Sequence, residues 1–157
     1  MYQGNNDRPQ VWRAGGIPYV VDAMGQVSMM FMIPADTEFN KINPDLKLPQ
    51  IAKGRVEPFE HPHAAALREC AEELGLDESN IVDTIEGGVV LGRTHVYAFK
   101  IADQAAFTGY SAETEQTMWM TYDEFMDSGR ELHKTVVDML HTKILEQYFE
   151  ELAGSFA

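Results

Sequence analysis

Cysteine is nearly missing from this chain: Cys70 is the only one among 157 residues. An internal disulfide and a Cys-rich zinc site are therefore excluded, and a reducing compartment is expected. Basic residues are scarce too. Twelve Lys and Arg stand against 25 Asp and Glu, leaving a formal charge of -13, which argues against an extended surface that tracks nucleic-acid phosphates. A small anionic substrate is compatible with such a chain only where cations bring it in. No apolar run approaches the roughly 20 residues that a membrane span needs. The N-terminal MYQGNNDRPQVW has no basic stretch leading into an apolar one, so a cytoplasmic location without membrane contact is the expectation. Repeats, low-complexity tracts and a D-x-D-x-D-G calcium loop are absent as well. What remains is 45% hydrophobic and 24% charged residues, the composition of one globular domain over residues 1–157.

The pattern is mixed α and β. IPYVV (17–21), the turn-forming DAMGQ and VSMMFMIPA (27–35) predict a hairpin whose second arm is apolar on both faces and hence central in a sheet. Met29, Met30 and Met32 on that arm read as core. GGVVLG (87–92) and THVYAFKI (94–101) predict a second strand pair, and EQTMWMT (115–121) a further strand. The last third is helical. A short YDEFMDSG segment precedes ELHKTVVDMLHTKILEQYFEEL (131–152), where Val136, Val137, Leu140, Ile144 and Tyr148 recur at helical spacing. That helix either packs on the sheet or forms an interface with a second copy.

Between the strand pairs lies 54-GRVEPFEHPHAAALRECAEELGL-76, a loop followed by one helix. Pro62 suits a first helical turn and Gly75 a C-terminal cap, which predicts a helix over about 62–74. At about 100° per residue, Leu67, Cys70, Ala71 and Leu74 fall on a face predicted to pack, and Glu69, Glu72 and Glu73 on the other. Cys70 reads as a small buried hydrophobe, because the neighbouring carboxylates raise a thiol pKa. The acidic cluster works against the helix. Like charges at i,i+3 and i,i+4 cost ~0.2–0.5 kcal/mol each, and the negative end of the helix dipole adds ~0.3–1 kcal/mol. A solvated acidic face would bear this modest cost, whereas a hard divalent cation such as Mg²⁺, Mn²⁺ or Ca²⁺ would reverse its sign.

Gly54, five residues, Glu60, seven residues, then Arg68-Glu69-Cys70-Ala71-Glu72-Glu73-Leu74-Gly75-Leu76 is G-x5-E-x7-R-E-U-x-E-E-x-G-U, with U a bulky apolar residue. All seven fixed letters are in place. At roughly 5–10% usage per residue type, a chance match at one start has a probability on the order of 10⁻⁸. The segment resembles the box of the Nudix hydrolases; Cys70, where an aliphatic residue is usual, is its one soft departure. The resemblance implies an α/β/α sandwich around a mixed β-sheet. It also implies hydrolysis of a phosphoanhydride bond in a nucleoside diphosphate linked to another moiety, with Mg²⁺ or Mn²⁺. Glu69, Glu72 and Glu73 resemble the metal cluster, with Glu69 also the acceptor of the water's proton. Gly54 resembles the loop glycine whose carbonyl approaches the metal, Arg68 the residue that orients the carboxylates, and Glu60 its support.

Two further segments bear on the substrate. Lys53-Gly54 resembles a pair found in family members that cleave diadenosine polyphosphates; Lys53 would then contact a phosphate, the alternative being a solvated lysine. In 111-SAETEQTMW-119, which resembles the S-x-E…W segment of the same members, either Glu113 or Glu115 would assist the metal site. Phe59, Tyr97, Tyr110 and Trp119 are candidates to stack on a base, each also explicable as packing. His61 and His63 lack an evident third ligand and read as residues around a helix start. The resemblance thus leans toward diadenosine oligophosphates. ADP-ribose-like nucleotides are the alternative, although the proline that such members place some fifteen residues after the box has no counterpart, since no proline follows Pro62. The second class of function is a noncatalytic nucleotide-sensing or protein-binding module, which need not retain the carboxylates. A small nucleotide is the expected partner, and a homodimer a further one.

Overall fold

The computed structural model describes residues 11–155. Its first strand, β1 (Arg13–Val21), turns through Asp22 to Gln26 into β2 (Val27–Pro34), antiparallel with Tyr19 opposite Met29 and Val21 opposite Val27. The Asp22 carboxylate accepts the Met24 and Gln26 N–H groups (2.8 and 2.9 Å). A side chain that bonds its own turn in this way is why Asp starts hairpin loops. There follow a short helix α1 (Glu38–Ile42), a 3-10 turn over Pro44–Lys47, and β3 (Ala52–Arg55). The helix α2 (Pro62–Leu74) leads to β4 (Ile81–Thr84), β5 (Val89–Leu91), β6 (Thr94–Ile101) and β7 (Thr114–Thr121), and the chain closes with α3 (Tyr122–Ser128) and α4 (Lys134–Gly154).

The strands form one mixed sheet in the order β4-β6-β1-β2-β7, with β3 added to β1 and β5 to β6. β1 runs parallel to β6 along one edge, while its other edge changes partner: Arg13–Gly16 face β3 and Tyr19–Val21 face β2. Pro18 lies at that changeover. A proline in a central strand removes a ladder donor, and here it stands between two ladders on that edge; further along, Met32 of β2 bridges Gln50 just ahead of β3.

Alternation along the strands sorts the core into two layers. Ile17, Tyr19, Met29, Phe31, Val96 and Ala98 join Phe125, Val136, Val137, Leu140 and Ile144 under α3 and α4. Met30, Met32, Tyr97, Phe99 and Ile101 join Ala65, Ala66, Cys70 and Leu74 under α2. The result is the α/β/α sandwich around a mixed sheet that the box implied. The long final helix packs on the sheet through Val136, Val137, Leu140 and Ile144, with Tyr148 half-buried. β3, β4 and α1 had no counterpart among the expected elements: each is four or five residues long, too short for a periodic signal.

The face reading of α2 needs correcting. Its buried residues are Ala65, Ala66, Glu69, Cys70, Glu73 and Leu74; Ala71 is exposed and Leu67 half-buried. The packed arc is centred on Glu69 and Glu73, and only Glu72 of the three stays in solvent. The helix turns two carboxylates toward β3 because that strand offers a glycine to Glu69 and a backbone N–H to Glu73, while Arg68 of the helix itself pairs with Glu69.

Candidate active site

Both ends of α2 are held by local chemistry. The His61 side chain caps the N-terminus, its Nδ1 accepting the His63 N–H at 3.0 Å, and Pro62 follows at the first helical position. Gly75 ends the helix with φ 75°, a left-handed conformation that glycine adopts without steric cost. The loop before β7 then lies on the C-terminal turn. Ser111 N–H donates to the Glu72 carbonyl (2.7 Å), Thr114 Oγ1 to the Glu73 carbonyl (2.8 Å), and Thr108 N–H to the Gly75 carbonyl (2.9 Å). Carbonyls left open at a helix end thereby fasten the Glu113 loop beside the carboxylates.

Arg68 organises the cluster. Its Nε and Nη2 donate to the two Glu60 oxygens, both at 2.9 Å, its Nη1 to Glu69 Oε2 at 2.7 Å, and its Nη2 also to the Arg55 carbonyl at 2.9 Å. Glu60 takes the Glu57 N–H as well (2.9 Å). The guanidinium fork holds the Glu60 carboxyl below its ordinary pKa, and Glu60 in turn raises that of Arg68. Glu72 stands 3.7 Å from Arg68 Nη1 at the solvent edge.

Gly54 lies in β3, a strand rather than a loop, directly against the Glu69 carboxylate, which a Cβ there would overlap. Only glycine lets Glu69 approach the strand so closely. Lys53 N–H donates to Glu73 Oε1 at 3.3 Å. Burial, then a hydrogen bond and repulsion from Glu69, push the Glu73 carboxyl well above its ordinary pKa. Cys70 is fully buried and its thiol is pushed up by burial and then by Glu73 and Glu69, the environment of a packing residue.

Among the described residues, no three acidic, imidazole or thiol side chains converge into a ready-made cation cage. The donor set nevertheless fits a hard cation: three carboxylates lie on one turn and a half of α2 beside the Gly54 backbone, two of them are buried together, and Glu73 carries an ionisation cost that a positive charge would relieve. As it stands, Glu69 turns to Arg68 and Glu73 to the β3 backbone.

The cleft that opens beside β3 holds about 520 Å³ and is walled by Met32, Gln50, Lys53, Glu73 and Glu113, among others. This separates the two loop glutamates. Glu113 shares the cleft with Glu73, whereas Glu115 pairs with Lys47 (3.0 Å), itself paired with Asp36 (2.9 Å). The proposed base-stacking residues do not gather there. Phe59 projects fully into solvent from a strained turn (φ 64°). Tyr97 is 6% exposed, stacked on His95 at 4.2 Å and met edge-on by His63 at 5.1 Å, so its ring has no free face for a base. Trp119 packs edge-on against Phe107, and Tyr110 donates to the Glu115 carbonyl (3.3 Å). His61 and His63, one capping α2 and one packed on Tyr97, do not converge.

Arg130 and His133 escaped the sequence reading. They lie on the turn between α3 and α4, joined to Gln50 and Ile51 by hydrogen bonds across 80 and 82 residues of chain. No local signal links such positions.

The NUDIX domain model matches residues 16–140. No match was found among curated proteins. Among solved structures, the chain is similar to an Ap4A hydrolase of C. elegans in a binary complex, at 17% identity, with 90% of this chain and 98% of that one covered and a TM-score of 0.55. It is similar to a NUDIX hydrolase of Listeria monocytogenes at 16% identity, 89% and 97% coverage and a TM-score of 0.63. A third is the NUDIX domain of Shewanella oneidensis NrtR complexed with ADP ribose, at 14% identity, 96% and 94% coverage and a TM-score of 0.55. At these identities the likeness is one of fold.

Proposed function

Because the chain belongs to the NUDIX domain family of pyrophosphohydrolases, we propose that it cleaves a phosphoanhydride bond in a nucleoside diphosphate linked to another moiety, with diadenosine oligophosphates as the first substrate class. One observation carries the reading: Glu69 and Glu73 are buried side by side against β3 (7% and 9% exposed), and Glu73 lines the cleft that also holds Lys53 and Glu113. Two carboxylates are not buried together for stability, since Arg68 is engaged by Glu60 and Glu69 and leaves Glu73 without a compensating charge of its own.

Glu69, Glu72 and Glu73, with the Gly54 main chain, would hold Mg²⁺ or Mn²⁺, which when bound neutralises phosphate oxygens and lowers the pKa of water. Glu69 accepts the proton of the attacking water. The water oxygen bonds to phosphorus, the bridging P–O bond breaks, and the leaving phosphate carries the bridging oxygen away. Arg68 orients Glu69, and Glu60 keeps Arg68 in place. Glu113, on the fastened loop, orients the water or assists its deprotonation. Glu115, engaged by Lys47, has no part in this step.

The testing experiment is chromatographic product analysis after incubation with Mg²⁺ or Mn²⁺. The panel holds diadenosine polyphosphates, ADP-ribose, NADH, FAD, sugar nucleotides and nucleoside triphosphates, with a metal-free control. Metal-dependent cleavage of diadenosine compounds supports the full reading, and cleavage concentrated on ADP-ribose moves the substrate to that class. A folded protein inert toward the whole panel would favour the nucleotide-sensing or protein-binding module. A cytoplasmic homodimer is part of the same proposal, supported by the exposed Met139, Phe149 and Leu152 on α4; sedimentation checks the second copy.

A further inference from the structure

β3 separates two chemistries. Ala52 and Gly54 face α2, the first in its core layer and the second against Glu69. Alternation sends Ile51 and Lys53 to the other face, where Ile51 joins the layer of Val136, Val137 and Leu140. The turn between α3 and α4 docks on this second face. Arg130 N–H donates to the Pro49 carbonyl (2.9 Å), Arg130 Nη1 to Gln50 Oε1 (3.3 Å), and Ile51 N–H to His133 Nδ1 (3.1 Å).

This last bond fixes the histidine's tautomer. Nδ1 accepts, so the neutral ring carries its proton on Nε2. The ring is neutral because burial, then Lys53 and Arg130, hold its pKa down to about 3. His133 is 4% exposed, and its Nε2 is buried without a hydrogen-bond partner; the Arg130 Nε is buried and unpartnered in the same way. These two are the only such side-chain atoms among the described residues. Both are donors, both lie on one turn, and the half-buried Lys53, two residues beyond Ile51 on the same face of β3, adds its positive charge to theirs. An unpaired buried donor costs ~1–3 kcal/mol, so two together with a cation mark a missing acceptor of negative charge.

We propose that Lys53, Arg130 and His133 form an oxyanion site that takes a phosphate group, the unpaired N–H groups of Arg130 and His133 donating to its oxygens. In a chain of net charge -13, such a site gives an anion local attraction beside the cleft that Lys53 shares with Glu73 and Glu113. The occupant is a phosphate of the substrate or free phosphate. The first of these rests on the pyrophosphohydrolase reading; the second does not.

The test uses metal-free, full-length protein in chloride buffer at fixed ionic strength, with inorganic phosphate replacing chloride. The wild type should show a saturable rise in Tm, and the His133 ring Nε2–H resonance should shift along the same curve. Arg130→Met should weaken the apparent phosphate affinity about tenfold or more, the loss of a charge-assisted hydrogen bond. Its Tm without phosphate should change little, the relief of a buried unpaired donor being offset by the lost bond to Gln50 Oε1; Arg130→Lys should restore part of the affinity. A Tm insensitive to phosphate with an unmoved His133 resonance would overturn the proposal and assign the donors to a buried water. Equal binding by wild type and Arg130→Met would overturn it too. Kinetics on the cleaved substrate then separate the sources. A KM raised about tenfold in Arg130→Met at near-constant kcat identifies a substrate phosphate, and an unchanged KM with lost phosphate binding identifies free phosphate. Because the phosphate titration needs no turnover, failure of the hydrolase reading leaves it intact.

Discussion

Helices α2 and α4 cover opposite faces of one sheet, yet they bury different chemistry. α4 packs through Val136, Val137, Leu140 and Ile144, all apolar, whereas the buried arc of α2 contains Glu69 and Glu73 beside Ala65, Ala66, Cys70 and Leu74. The first is a face selected by transfer free energy and packing. The second gives up part of that gain to hold charge at the wall of a cleft. The carboxylates proposed to run the chemistry thus sit on α2 alone, while α4 contributes only packing, and substitutions can pull the two apart.

The largest effect falls on α2. Glu72→Gln and Glu73→Gln should each lower kcat by on the order of 10³-fold or more, corresponding to ~4 kcal/mol of barrier, with far-UV circular dichroism unchanged. Turnover at the wild-type rate in either variant would remove the catalytic distinction between the helices. The mirror experiment is Leu140→Ala on α4, where Leu140 is fully buried. Denaturant unfolding should report a loss of about 2–5 kcal/mol, while kcat of the folded fraction stays within about twofold. A kcat that fell as far as in the glutamate variants would mean that α4 reaches the chemistry as well.

The next comparison lies within one loop. Glu113 lines the cleft with Glu73, and Glu115 is paired with Lys47. Glu113→Gln should reduce kcat on the order of 10²-fold. Glu115→Gln should leave kcat unchanged and stability within about 0.5 kcal/mol, as expected when an exposed ion pair is lost. Steady-state kinetics on the two variants decide it, and equal losses would erase the distinction that the Lys47 pairing draws.

Legibility in the sequence followed the same division. The box letters placed Arg68, Glu69, Glu72, Glu73 and Gly54 together, and α4 was readable because its apolar spacing is undiluted. The face of α2 was misread because a binary pattern sends every Glu to solvent, and nothing local shows that Gly54 and the Lys53 N–H stand opposite Glu69 and Glu73. β3 and β4 are four residues each and exist through pairing with β1 and β6 rather than through propensity. Tyr97 looked like a stacking candidate because an aromatic in a strand carries no mark of which face it takes. Arg130 and His133 were invisible for a stronger reason: their partners at Gln50 and Ile51 are supplied by tertiary docking alone.

A smaller change than the losses on α2 and α4 contrasts two buried titrating groups with opposite signs. His133 has its pKa held down to about 3 by burial and then by Lys53 and Arg130, so the fold favours the neutral ring. The stability this confers is complete above the unfolded value near 6.5 and is lost as pH falls through the interval toward 3. Glu73 has its carboxyl raised by burial and by Glu69, so the fold favours its protonated form, and that contribution is lost as pH rises above the ordinary carboxylate range. Metal-free protein should therefore lose stability on both sides, on the acid side through the α3–α4 turn and on the alkaline side through α2. Glu73→Gln keeps the shape and removes the alkaline loss, and at pH 8 it should stabilise the metal-free protein by on the order of 1 kcal/mol. Denaturant titrations at pH 5 and pH 8 test this, because the gain of the variant over wild type must grow with pH. A gain that is constant or shrinks would mean that Glu73 pays no ionisation cost in its place on α2, and the carboxylates would then be buried for packing alone.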